Sequence, residues 1–192
     1  MCPQTMAGVP CPLTPPFLPW RIPSDIHRLH KQSVLHLLQD TDRYYSFHLS
    51  LEFVRDKDIV TNIELKTGVF EYSGIEQAVA ECVRKNDVVE KVIISSFNHY
   101  SILRMREIAP ELKCGLLTDC WLINAGEYVH NHGIPCYHPK FPNLTPDITA
   151  ELKSCGLEIN TWTVNTQEDY DRLAGLEIDV CIGNFPGEIH KK

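Results

Sequence analysis

The sequence reads as an α/β chain of parallel strands, and three observations say so. From Lys91 onward one pattern recurs: a short apolar run, a polar or aromatic tip, then a helix-patterned segment. Strands that alternate with helices at this spacing form right-handed βαβ units and a parallel sheet. The tips fall at the C-terminal ends of the strands, where a parallel barrel carries its chemistry. An open doubly wound sheet also places ligands there. That fold, however, uses a Gly-rich phosphate loop, and this chain has none of the dinucleotide or nucleotide type. The expected fold is therefore a (β/α) barrel of TIM type, N-terminally incomplete, with about six of the eight βα units.

Taken in order, seven of the 13 prolines lie between Pro3 and Pro23, a density that discourages helices and central strands. Residues 31–54 carry Leu, Val, Phe and Tyr at loosely helical spacing, which suits a helix laid over the open barrel interior. Residues 1–55 are read together as an irregular lead and atypical segment, and 56–192 as the partial barrel domain. The first regular strand runs through Asp58-Ile59-Val60-Thr61 into Asn62-Ile63-Glu64-Leu65-Lys66. Next come the strand Lys91–Ser96, a helix from Tyr100 to Ile108, the strand Cys114–Thr118 and a helix from Asn124 to His132 closed by Gly133. Ile134–His138 leads through a Pro-rich loop to a helix over 146–154, with proline at its start and Gly156 past its end. Glu158–Asn165 alternates as a strand does, Thr166 opens a charged helix ending near Gly175, and Ile178–Asn184 is the last strand.

Successive side chains of a strand point to opposite faces, so Glu64 and Lys66 share one face while Ile63 and Leu65 take the other. An acid and a base aimed inward at a strand's C-terminal end suit a metal and a phosphate. An isolated Glu-x-Lys otherwise reads as a solvent-facing ion pair on an edge strand. Phe97, Asn98 and His99, Asp119, His138, Trp162 with Asn165, and Asn184 occupy the other tips. Phe97 and Trp162 read either as pocket walls or as barrel packing. His138, just before Pro139, is placed for phosphate binding or for a structural hydrogen bond. His130 and His132 fall on a helix-patterned segment away from that face.

Asn62-Ile63-Glu64-Leu65-Lys66, Ser95-Ser96-Phe97, Asn160-Thr161-Trp162-Thr163-Val164-Asn165 and Ile182-Gly183-Asn184-Phe185-Pro186 stand in an order and spacing that resemble the C-terminal portion of the glycerophosphodiester phosphodiesterase family. The resemblance covers residues 56–189. It implies metal-dependent hydrolysis of a glycerophosphodiester to glycerol 3-phosphate and an alcohol, within phospholipid and glycerol metabolism. It also implies a divalent cation, Ca²⁺ or Mg²⁺. Glu64 matches the family's metal-ligand carboxylate and Lys66 the lysine that meets the phosphate; Trp162 and Phe97 match aromatic positions of the substrate pocket. A hard cation and a positive side chain both stabilise the charge that grows on a phosphodiester in its transition state.

The departures point the other way. Family members begin with a strand ending His-Arg-Gly and carry further Glu, Asp and His residues for metal binding and acid–base work. Ile26-His27-Arg28-Leu29-His30 has no apolar strand before it and no glycine after it. In Gln39-Asp40-Thr41-Asp42-Arg43 a Gln stands where a His is needed. No catalytic residue is therefore assigned, cation binding is expected to be weak, and impaired hydrolysis is the leading expectation. The alternative is a non-catalytic remnant that binds phosphate-bearing ligands or serves as an assembly module.

A net charge of −7 without a basic stripe argues against nucleic-acid binding. No apolar run is long enough to span a bilayer. Eight cysteines without Cys-x-x-Cys pairing read as reduced, buried thiols of a cytoplasmic protein. Unpaired edges of an open barrel favour self-association.

Overall fold

A computed structural model describes residues 33–35, 41–185 and 189, with side chains from 47 onward. The expected irregular lead, with His27 and His30, and Asp40 lie outside the described residues. The elements run β1 (Ser33–Leu35), α1 (Thr41–Arg55), β2 (Thr61–Leu65), α2 (Ile75–Lys85), β3 (Val92–Ser96), α3 (His99–Ile108) and β4 (Lys113–Thr118). They continue through α4 (Ala125–Asn131), β5 (Cys136–Pro139), α5 (Pro146–Ser154), β6 (Glu158–Trp162), α6 (Gln167–Ala174) and β7 (Val180–Ile182).

All seven strands pair in parallel and in chain order. A doubly wound sheet reverses its order at a switch point. This one never does, so its winding is that of a barrel, curled but open between β1 and β7 among the described residues.

Alternation sorts the strands into two faces. Ile63, Leu65, Ile94, Leu116 and Ile159 point outward and pack with Val79, Val83, Ile102, Met105, Val129, Leu152 and Leu173 of the helices. Register then puts Asn62, Glu64, Ile93, Ser95, Gly115, Leu117, His138, Asn160 and Ile182 on the inner face. The outer layer supplies the apolar burial, at roughly 25 cal/mol per Å², while the inner layer mixes apolar and polar groups.

The six expected strands are present, and β1 adds a seventh from the segment read as atypical. The helix expected there exists as α1, but it does not lie over the interior. Its buried Phe47 and Leu51 join Ile63, Leu65 and Val79 in the outer core, as a crossover helix must when it links two parallel neighbours. Helix entries follow the sequence signals. Thr145 Oγ1 accepts from Ile148 N at 3.3 Å before Pro146, and Thr166 Oγ1 accepts from Asp169 N at 3.1 Å.

Candidate active site

Glu64 is the last inward residue of β2, level with Ser95 of β3, and its side chain is 3% exposed. Lys66, one-third exposed, reaches back from the strand end and donates to Glu64 Oε1 at 2.8 Å. The pair is thus not a solvent-facing contact on an edge. β2 lies between β1 and β3, and the carboxylate is inside.

The Ser-Ser-Phe motif has a structural reason. Ser96 Oγ donates to Leu65 O at 2.7 Å and accepts from Asn98 N at 3.0 Å, while Asn98 Nδ2 donates to Thr67 O at 3.2 Å. These bonds clamp the loops after β2 and β3 together. Phe97 is left to project at the rim, where its ring meets Trp162 edge-on at 5.4 Å.

Trp162 is fixed in turn by its indole Nε1, which donates to His138 O at 2.8 Å. Beyond it, Val164 N donates to Ile182 O at 2.8 Å and Asn184 N to Asn165 Oδ1 at 2.9 Å. A Cβ on Gly183 would stand 2.0 Å from Val164 O, so only glycine allows this approach. The Thr-Trp-Thr-Val-Asn and Ile-Gly-Asn motifs are therefore one unit holding the indole in place.

His138 contributes its carbonyl to that unit, and its ring turns down into the barrel. The imidazole covers Gly115, where a Cβ would meet Nε2 at 2.4 Å. Nε2 accepts from Asn160 Nδ2 at 3.1 Å, which places the ring proton on Nδ1 in the neutral form. Asn160 Nδ2 also donates to Glu158 Oε1 at 3.0 Å, and Glu158 pairs with Lys113. A polar column thus runs from the barrel floor to the underside of the indole.

The structure brings Glu64 to Lys66 and Phe97 to Trp162, with His138 beneath the indole. Three further described histidines have structural tasks. His99 Nε2 donates to Leu117 O at 3.0 Å and Nδ1 accepts from the Tyr128 hydroxyl at 2.9 Å. His130 and His132 bond to Cys155 O and Tyr128 O. Sequence reasoning passed over Asn62, Ser95 and Asn160. Both amide atoms of Asn62, Ser95 Oγ and Asn160 Oδ1 are buried without a hydrogen-bond partner among the described residues. Their shared parity with Glu64 and Trp162 was the available signal.

Among the described residues, no group of three or more His, Cys, Asp and Glu side chains could hold a metal ion. A hard divalent cation takes about six or more oxygen ligands. Glu64 is a single carboxylate that already carries an ammonium group. These residues alone therefore do not fit such an ion.

Residues 24–188 match the model of the glycerophosphoryl diester phosphodiesterase family. A glycerophosphodiester phosphodiesterase of Caldanaerobacter subterraneus subsp. tengcongensis is 34% identical over 76% of this chain and 60% of its own length. Among solved structures, a glycerophosphodiester phosphodiesterase of Parabacteroides distasonis superposes with a TM-score of 0.64 at 17% identity, covering 74% of this chain and 60% of that one. A phosphodiesterase of Oleispira antarctica, solved with the product sn-glycerol-3-phosphate, gives 0.56 at 17% identity over 68% of this chain and 53% of that one. The two structures share the fold, and the chain spans about 60% of the Caldanaerobacter relative it matches. With most of its residues inside the family match, the chain belongs to the glycerophosphoryl diester phosphodiesterase family.

Proposed function

We propose that this chain carries the phosphate-facing half of a glycerophosphodiester phosphodiesterase site, with a small-molecule glycerophosphodiester as substrate. The observation behind this reading is the Lys66–Glu64 pair inside the rim, with the Phe97–Trp162 pair on the same rim. Lys66 meets the phosphate anion, and the two aromatic rings wall the glycerol or alcohol moiety. His138 holds the indole from below through its carbonyl. Glu64 serves as one ligand of a divalent cation. The glycerol 3-phosphate bound to the Oleispira phosphodiesterase supports the same ligand chemistry here.

Lys66 must leave Glu64 when a phosphate or a cation arrives, because one ammonium cannot serve both partners at full strength. Calorimetry with Ca²⁺ or Mg²⁺ is expected to show affinity no tighter than roughly millimolar, since few oxygens replace the ion's water. Further ligands and the acid–base groups would come from polypeptide outside the described residues or from a partner. Leu49 and Phe53 on α1, 47% and 44% exposed, support association through that helix. Free thiols at the described cysteines support a reducing, cytoplasmic setting.

The test is release of choline and glycerol 3-phosphate from glycerophosphocholine by the purified chain with added cation. Little or no turnover is expected alone, because a missing general acid or base typically costs about 10²- to 10⁴-fold. Turnover is expected when the N-terminal strands of a relative are supplied, with loss on Lys66→Ala or Glu64→Ala. Complemented turnover unaffected by both substitutions would remove this reading. Ligand binding without any turnover would instead favour the non-catalytic module.

A further inference from the structure

We propose that Asn62 and Ser95 are positioning residues of the site, a second seat that receives the Glu64 carboxylate when Lys66 turns to a phosphate anion. The anion is taken from the phosphodiesterase reading, and the seat is read from the inner face of the sheet itself.

Asn62 stands two residues before Glu64 on β2, and Ser95 is the register partner of Glu64 on β3. Alternation places all three on the inner face, with about 6.5–7 Å between same-face neighbours of one strand and about 4.8 Å between adjacent strands. Asn62 and Ser95 are 1% and 0% exposed. Yet neither amide atom of Asn62 nor Ser95 Oγ has a hydrogen-bond partner among the described residues. Buried polar groups are normally paired, and a buried donor left unpaired costs stability. Ser96, the next residue, shows the usual outcome, donating to Leu65 O and accepting from Asn98 N. Asn160 also has an unpaired oxygen on the inner face, but its Nδ2 donates to His138 and Glu158. Asn62 has no such task.

Donors are what a carboxylate can use. Asn62 Nδ2 and Ser95 Oγ both donate, whereas ionised Glu64 only accepts. Lys66 Nζ donates to Glu64 Oε1 at 2.8 Å. Lys66 is one-third exposed and Glu64 3%, so the lysine is the member of the pair that can swing to a ligand. A buried carboxylate that gives up an ammonium needs donors in its place, because desolvated charge is costly. Asn62 and Ser95 are the donors beside it, and bonds from them to the carboxylate are charge-assisted. The empty site thus keeps Lys66 on Glu64, and the loaded site keeps Glu64 on Asn62 and Ser95. Two donors left unpaired in the empty site make the release of the lysine to the anion easier.

The full chain and its variants are to be compared, in buffer free of divalent cations, by urea unfolding and by NMR of the Asn62 side-chain amide. With Lys66 present, Asn62→Leu with Ser95→Ala should change the unfolding constant by less than about threefold, since only unpaired groups are removed. In Lys66→Met the same two substitutions should cost at least about tenfold, the size of one hydrogen bond to a charged group. Ser95→Thr, which keeps the hydroxyl, should show no such extra loss. The Asn62 amide protons should move downfield in Lys66→Met, and Glu64→Leu in the same chain should undo that shift. Glycerol 3-phosphate added to the unsubstituted chain should produce it. Lys66 is one-third exposed at the strand end, so Lys66→Met is expected to fold, and Lys66→Ala gives a second background. Equal losses with and without Lys66, or an Asn62 signal indifferent to its removal, overturn the proposal and assign both side chains to internal water. Glycerol 3-phosphate that fails to bind counts against the phosphodiesterase reading alone, because the Lys66→Met comparison needs no ligand.

Discussion

The Phe97 ring stands edge-on to the Trp162 indole, with centroids 5.4 Å apart and planes at 89°, although β4 and β5 lie between the strands that carry them. Three strand spacings on a flat sheet amount to about 14 Å. The contact therefore records how far the sheet has curled, and it closes that curl at the rim where the site lies.

If the pair holds the curl, the two side chains should be energetically coupled. In a cycle of Phe97→Leu, Trp162→Leu and the double variant, urea unfolding is expected to give a coupling of about 0.5–1.5 kcal/mol, the usual range for aromatic pairs beyond area burial. Additive losses would mean that the rings touch without supporting the rim.

Glu64 and Lys66 should show a different asymmetry. Glu64 is buried and Lys66 is one-third exposed, so removing the lysine takes an ammonium partner from a carboxylate inside the sheet. Stranding a fully buried charge costs about 3–5 kcal/mol, and the partial exposure here brings the expectation to about 1–3 kcal/mol. Lys66→Met should therefore destabilise the chain more than Lys66→Met combined with Glu64→Gln. Chemical denaturation of both variants gives the comparison, and equal midpoints would show that solvent or another group already neutralises Glu64.

Gly115 carries the weight of the His138 placement. A methyl group there would stand 2.4 Å from the ring nitrogen, so Gly115→Ala forces the imidazole off Asn160. An overpacking loss of about 1–3 kcal/mol is expected. It should shrink when His138→Ser removes the ring in the same chain. A loss that persists in the double variant would place the clash elsewhere.

The repeated strand, tip and helix pattern made the sheet legible, because burial on the outer face and polarity at the rim leave separate marks along each unit. β1 left none: three residues, Ser33–Leu35, are too few for a period to show. The helix of α1 was readable from its spacing, but which layer it joins depends on a pairing partner that local sequence does not name. The inner-face, strand-end positions of Glu64 and Trp162 were legible because parity and strand ends are sequence properties. The downward turn of His138 was not, since it depends on Gly115 of the neighbouring strand, the register partner of Cys136 two residues earlier, leaving room for the ring. Trp121, Leu122 and Ile123 carry no mark of their position in the strand and helix pattern; they stand exposed on the loop between β4 and α4.

The buried thiols predict how stability responds to alkali. Burial pushes Cys114 up to about 12 against the partial pull of Arg106, and Cys181 up to about 11. Burial, joined by the Glu158 carboxylate, raises Cys136 as well. In the unfolded chain these thiols ionise near pH 8.5, so above that value the unfolded state holds fewer protons than the folded one and stability falls as pH rises. The contribution is whole below about pH 8.5 and is lost progressively toward the folded-state values. At pH 10 each thiol should have forfeited about 2 kcal/mol. Tyr137, raised by burial, acts in the same direction at higher pH, so urea midpoints between pH 7.5 and 10 isolate the thiols best. Cys114→Ala and Cys181→Ala should each flatten that decline, whatever they do to stability at neutral pH. The exposed Cys120 provides the contrast, reacting with a thiol reagent in the folded chain while Cys114 and Cys136 stay protected until unfolding. A decline with pH that neither alanine variant alters would show that other groups govern alkaline unfolding.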